Sequence, residues 1–298
     1  MEITAKMVKE LREKTNAGMM DCKNALVESQ GDLEKAKDWL REHGLATMSK
    51  RAGRVAREGV VLTAVSPDGK KGSIVEFNTE TDFVAKLDKF KAIALSIAEC
   101  LTGSEETPKD IPALLEKACP KCGLKYSAIL TDNTATTGEK SEIRRFAVLE
   151  ASEKAFVHAY NHAGNKISTL VVLEVEKPSP EAEEVAHTLA MQIAAGNPLA
   201  IQQADLNPAD VEREKNIYQE LVKKDPTKEK IWPKIVEGLM KKYYQQVVLL
   251  DQEFIKEPKI SVKTWLEQFR ATLGAVTVKN FVRYQLAEEL PSDKTENN

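Results

Sequence analysis

The stretch Val60-Val61-Leu62-Thr63-Ala64-Val65, then Ser66-Pro67-Asp68-Gly69, then Ser73-Ile74-Val75-Glu76-Phe77-Asn78 reads as a β-hairpin. β-Branched and aromatic residues flank a turn in which proline sets φ and glycine accepts φ > 0. Phe90, Ile93, Ala94, Ile97 and Ala98 follow at helical spacing. The same order recurs downstream. Phe156 to Tyr160 is a strand, Asn161 to Asn165 a turn and Lys166 to Val175 a second strand. A helix then runs from Pro180 through Val185, Leu189 and Ile193. Gly69 aligns with Gly164, Lys71 with Lys166 and Ser73 with Ser168 at one constant offset. The pattern predicts an α+β fold built on two related halves.

Outward from this core, residues 1–44 read as three short helices. Thr4 can cap the first, whose apolar face holds Met7, Val8 and Leu11. Asn16-Ala17-Gly18 makes a turn. The second helix runs from Met19 to Gln30, with Met19, Cys22, Leu26 and Val27 apolar, and Gly31 ends it. Asp32 can cap the third, with Leu33, Ala36, Trp39 and Leu40 inward, and Gly44 is read as its stop. Residues 45–58, with Lys50, Arg51, Arg54 and Arg57, read as a solvated basic linker. After Pro208, an antiparallel helical hairpin is expected over about 208–245, its second helix starting near Thr227. Helical pattern resumes from Val262 to Phe269, and the polar tail 291–298 is expected to be disordered. The expected units are 1–55, a three-helix module, and 56–150, the first core half. They continue with 151–260, the second half with its hairpin, and 261–298, a C-terminal helical module and tail.

A net charge of −3 and a pI of 6.0 do not favour tight binding to a phosphate backbone, and no direct nucleic-acid contact is expected. No apolar run approaches the roughly 20 residues of a membrane helix. Met1-Glu2-Ile3-Thr4 lacks the features of a secretory signal, so a cytoplasmic location is expected. Cys22, Cys100, Cys119 and Cys122 are then read as reduced thiols.

Gly138-Glu139-Lys140-Ser141 lacks the spacing of a phosphate-binding loop. Cys119-Pro120-Lys121-Cys122-Gly123 is half of a zinc pattern, and is read as a surface loop with two incidental thiols. His158 and His162 flank a strand–turn junction, and they are read as not sharing a face. No grouping argues for catalysis, and no cofactor or metal ligand is expected. Gly31-Asp32-Leu33-Glu34-Lys35-Ala36 with Trp39-Leu40 resembles the ubiquitin-associated domain, an interaction module. Met19 and Met20 would be its adaptable contact residues, one pointing in and one out. Asn78-Thr79-Glu80-Thr81-Asp82-Phe83-Val84-Ala85-Lys86 follows a strand and opens a helix. Thr81 or Asp82 can cap that helix. The residues alone leave Phe83 either buried or projecting from its first turn.

Four segments together resemble the bacterial elongation factor Ts family. They are Thr15-Asn16-Ala17-Gly18-Met19-Met20-Asp21-Cys22-Lys23-Asn24-Ala25-Leu26, Glu58-Gly59-Val60-Val61, Asn78 to Lys86, and Ile235-Val236-Glu237-Gly238-Leu239-Met240-Lys241-Lys242. The resemblance implies a partner, the GTPase elongation factor Tu, and an activity, speeding the release of its GDP. It implies that Leu11, Arg12, Met19 and Met20 grip the nucleotide domain. Thr81, Asp82, Phe83 and Val84 would reach the magnesium side of the nucleotide site, and His162 would touch another domain of the GTPase. The hairpin would serve association, including a homodimer, and the segment Lys279 to Phe281 would give a further contact. Three rival readings stand beside this one: a plain interaction adaptor, a zinc-dependent protein using the cysteine pair, and an RNA binder using Arg51, Arg54 and Arg57.

Overall fold

The computed structural model of the chain describes residues 3–15, 17–51, 53–224 and 226–290. Helices α1 (Ala5–Thr15), α2 (Met19–Glu28) and α3 (Leu33–Arg51) come first. Val8, Leu11, Ala17, Cys22, Ala25, Leu26 and Ala36 form their small core. The Thr4 hydroxyl accepts from the Met7 amide at 3.3 Å, and the Asp32 carboxylate accepts from the amides of Glu34 and Lys35. Gly31, at φ 85°, closes α2 by donating to the Leu26 carbonyl. Gly44 does not stop α3, which continues to Arg51, so much of the expected linker is helix. Glycine lowers helix propensity by only about 1 kcal/mol, and no capping geometry ends the helix there. Asn16 and the tail 291–298 lie outside the described residues.

Strands β1 (Glu58–Val65) and β2 (Lys71–Thr79) form the predicted hairpin, with Gly69 at φ 68° in its turn. Then come α4 (Asp82–Ala85), α5 (Asp88–Gly103), α6 (Ile111–Leu115), α7 (Tyr126–Thr137) and β3 (Ser141–Glu150). The second half has β4 (Ala155–Asn161), β5 (Ile167–Val175) and α8 (Pro180–Gly196). The helices α9 (Pro208–Lys223) and α10 (Trp232–Val247) follow, packed on each other through Val222, Val236 and Met240. A 3-10 segment, Pro226–Ile231, occupies the place where the second hairpin helix was expected to start, so that helix begins at Trp232 instead of near Thr227. Next come β6 (Glu253–Phe254), β7 (Glu257–Ser261), α11 (Val262–Glu267), α12 (Arg270–Leu273) and β8 (Val276–Gln285). The expected C-terminal helical module is helical through α11 and α12 but ends in a strand. β8 is a strand that pairs antiparallel with β5 along its length.

The sheets run β1-β2-β3 and β4-β5-β8, with β6-β7 a small ribbon. They pack face to face, because Val61, Ile74 and Leu149 from one share a core with Ala155, Val157, Leu170 and Val172 from the other. The alternate residues point outward. Val75 and Phe77 meet α5, where Phe77 stacks on Phe90 with ring centroids 4.4 Å apart. Val171, Leu173 and Val175 meet α8, α11 and α12. The order of layers is helix, sheet, sheet, helix. Both faces of β2 are therefore buried, which is why every residue from Gly72 to Thr79 is buried without alternation, the polar Ser73, Glu76, Asn78 and Thr79 included.

The two halves do share a pattern, but one residue out of the register that the sequence suggested. The turn bond from Gly69 to Ser66 recurs from Asn165 to His162. The kink in pairing between Glu76 and Phe77 recurs between Val172 and Leu173, the same 96 residues on. Ser73 thus matches Thr169, and both hydroxyls donate to a carbonyl of the covering helix, Ala98 and Ala190. Ser168 lies on the opposite face and donates across to the Val61 carbonyl of the facing sheet. A slip of one residue in a strand exchanges its faces, so the difference is physical.

Candidate functional site

Strand β2 ends at Thr79 and the chain bends at Glu80 before α4. One carboxylate holds this corner. Glu139, just past the end of α7, accepts from the Thr79 hydroxyl at 3.0 Å, the Thr81 amide at 2.9 Å and the Thr81 hydroxyl at 2.6 Å. Glu80 reaches back in the other direction. It accepts from the Lys140 amide at 2.7 Å and from the Arg54 guanidinium at 2.9 Å. The Lys140 ammonium in turn donates to the Arg54 carbonyl. The corner is therefore pinned by Glu139 and Lys140, about 60 positions on in sequence, and by Arg54, 26 positions before Glu80. Gly59, opposite Asn78, has φ 148°, and a Cβ there would fall 2.1 Å from the Phe77 carbonyl. Only glycine lets β1 approach β2 so closely at the base of the corner.

Within α4, Val84 and Ala85 are buried against α5 and the first sheet, whereas Phe83 is 78% exposed. The choice left open for Phe83 resolves to projection. Leu87, at the N-cap of α5, is also exposed. Capping departs from expectation. Thr81 occupies the N-cap position, but its hydroxyl is committed to Glu139 and caps nothing. Asp82 sits inside the first turn and pairs with Lys86 at 2.5 Å. That bond, and the charges of Lys86 and Lys166, hold its carboxyl below the ordinary value.

The turn bearing His162 lies beside the corner. Val61 donates to the Asn165 carbonyl at 2.7 Å, and Lys166 pairs with Glu58 at the start of β1. His162 is exposed, its Nδ1 2.8 Å from the Tyr160 hydroxyl. A strand repeats every two residues, so His158 and Tyr160 lie on one face of β4, and His162 follows just past the strand end, at the Tyr160 hydroxyl. On that face His158 Nε2 is 3.1 Å from His187 Nδ1 on α8, and Tyr160 meets the same ring edge-on. Burial, then the neighbouring His187, push the His158 pKa down.

In the helical module, Met19 and Met20 are 63% and 64% exposed, so both point out, not one. Val27, another apolar residue of this helix, is also exposed. Arg12 is exposed, whereas Leu11 is fully buried in the core of the module. The module rests on the core through α3 and α7. A groove between them is lined by Asp21, Arg41, Asp132, Thr136 and Gly138, immediately before Glu139. Lys279 pairs with Glu174, and Phe281 packs against the second core. Cys119 is buried and Cys122 exposed. No group of three or more His, Cys, Asp or Glu side chains is assembled for a metal among the described residues. Sequence reasoning missed Glu139 and Leu87, and gave Val27 no outward direction. Only the apolar character of Leu87 and Val27 gave any local signal.

Residues 80–288 match the family model for elongation factor TS. The chain is 44% identical to elongation factor Ts of Clostridium perfringens (strain SM101 / Type A), over 99% of this chain and 96% of that protein. It is 41% identical to elongation factor Ts of Clostridium botulinum (strain Eklund 17B / Type B), again over 99% and 96%. Matches of this extent span both halves of the core and the helical module, and the chain belongs to the elongation factor Ts family.

Proposed function

We propose that this chain promotes nucleotide exchange on a translational GTPase, elongation factor Tu, by binding it and loosening its hold on GDP. The observation that carries this is Phe83, a large apolar side chain projecting into solvent from a corner whose backbone is fixed by Glu139 and Glu80. A mobile aromatic would lose much of its contact energy on being ordered; a pre-positioned one does not. Inserting Phe83 fully into a partner would contribute roughly 1.5–3 kcal/mol. Magnesium beside GDP keeps several waters and few protein ligands, so a small displacement of those ligands releases it. Each 1.4 kcal/mol lost from nucleotide binding weakens it about tenfold. No covalent bond is made or broken in this scheme.

In this reading residues 1–55 are a ubiquitin-associated-like module whose Arg12, Met19 and Met20 grip the nucleotide domain. Thr81 to Val84 form the rigid corner at the magnesium side, with Asp82 as a charged positioning group. His162 contacts a second region of the partner. Halves 56–150 and 151–260, the second completed by α11, α12 and β8, form the body, and the hairpin serves auxiliary or self-association contacts. Fluorescent GDP release from elongation factor Tu, followed by stopped flow with and without the chain, tests the proposal. Accelerated release supports it; binding with unchanged release would leave only an adaptor.

A further inference from the structure

The loop between α6 and α7 holds the sequence Cys119-Pro120-Lys121-Cys122-Gly123. It is a closed turn. Gly123 donates to the Cys119 carbonyl at 2.8 Å, Cys119 donates to the Leu124 carbonyl at 2.8 Å, and Ala118 bridges Lys125. Gly123, at φ 72°, takes the left-handed position that the return requires. Tyr126 anchors the loop to α5 through its hydroxyl, 2.6 Å from the Ser96 carbonyl. The bond from Gly123 to the Cys119 carbonyl closes a single turn that contains both cysteines, three residues apart. One short turn of backbone therefore holds residues 119 and 122 together. Cys119 is 5% exposed, and Cys122 faces solvent.

We propose that Cys119 and Cys122 form a thiol–disulfide exchange site that small-molecule disulfides oxidise reversibly. Accessibility and chemistry are divided between the two thiols. Burial alone would raise the Cys119 pKa, but the amides of Lys121 and Cys122 and the Cys122 side chain outweigh it, and the net shift is downward. Such lowering favours the Cys119 thiolate that the resolving attack needs. The exposed Cys122 thiolate attacks one sulfur of the reagent disulfide. A mixed disulfide forms, the reagent S–S bond breaks and one reagent thiolate leaves, taking a proton. The Cys119 thiolate then attacks the Cys122 sulfur and expels the second reagent thiolate. The protein loses two electrons and two protons, and the reagent disulfide becomes two thiols. Cys22 and Cys100 are buried on other elements and take no part.

The test is equilibration of the full-length chain in glutathione buffers of graded redox ratio, followed by acid quench and peptide mass mapping, with the same series in urea. The expected result is a Cys119–Cys122 disulfide that dithiothreitol reverses and that is favoured roughly tenfold or more in the folded chain over the unfolded one. Cys119→Ser is expected to stop at a glutathione adduct on Cys122, because nothing resolves it. The proposal is overturned if the folded chain shows no such disulfide, or no advantage over urea. Pairing through Cys22 or Cys100, or stoichiometric zinc on the reduced pair, overturns it equally.

Discussion

At Phe83 the first turn of α4 divides its side chains. Val84 and Ala85 enter the core while Phe83 stands in solvent, and the division holds only while the corner backbone is fixed. Glu139 does that with three hydrogen bonds to Thr79 and Thr81. Removing it leaves those donors without their acceptor, at a cost of about 1–3 kcal/mol. Glu139→Ala should therefore lower the denaturation midpoint modestly and also slow GDP release at saturating variant, although Phe83 is intact. Full release activity in a destabilised variant would separate Glu139 from the site. Glu139 was illegible in the sequence, because its partners lie about 60 residues away and nothing local to Gly138-Glu139-Lys140 announces them. Phe83 was legible as a candidate but not in its direction, since a first-turn aromatic can face either way until the tertiary packing is known.

The elements were readable wherever period and punctuation agreed. The two hairpins, α1, α2 and α8 follow directly from alternation, capping residues and turn glycines. β8 was missed although Val276, Val278 and Val282 carry β-branched side chains. It pairs with β5 across roughly a hundred residues, and only that pairing makes it a strand. α3 overran Gly44 because a single glycine does not end a helix. On α2, Met20 and Val27 lie two turns apart on one face, with Met19 beside them, all exposed. Met19→Ala with Met20→Ala should weaken binding to the GTPase by tenfold or more in calorimetry, given about 1.4 kcal/mol per decade. Unaltered affinity would remove the grip from this face. Between β4 and α8, His158 has a lowered pKa and is faced by His187, Glu183 and Tyr160. The sign follows from linkage. Above about pH 6.5 the ring is neutral folded and unfolded, and its full contribution is present. As pH falls below that value the unfolded chain takes up the proton first, and stability is lost until the folded value is passed. Thermal midpoints should therefore fall between pH 7 and 5, and less so in His158→Gln. Identical profiles would contradict this.

At the scale of the molecule, two sheets facing each other must be locked in relative position for the corner and the His162 turn to stay side by side. Glu76 contributes to that lock from the interior. It is fully buried, pairs with Arg144 at 3.1 Å and Arg145 at 2.6 Å, and accepts from the Ala287 amide beyond β8. Arg145 lies over the Tyr284 ring and also reaches the Gln285 carbonyl and Glu288. One carboxylate thus ties β2 and β3 to the segment that ends the second sheet. Deleting one side of a buried ion pair costs roughly 3–5 kcal/mol, so Glu76→Ala should lower stability by about that much in urea titration. A change under about 1 kcal/mol would mean that the pairing is incidental. The lock matters because coupling between partner and nucleotide is reciprocal: whatever this chain does to GDP affinity, GDP does to its own affinity. The most direct measurement is the rate of fluorescent GDP release from elongation factor Tu at saturating concentrations of this chain and of its Phe83→Ala variant. Acceleration by the native chain is expected, with at least a tenfold smaller acceleration by the variant while both remain bound, as follows from about 1.4 kcal/mol or more of lost wedge energy. Equal release rates from the two saturated complexes would contradict it.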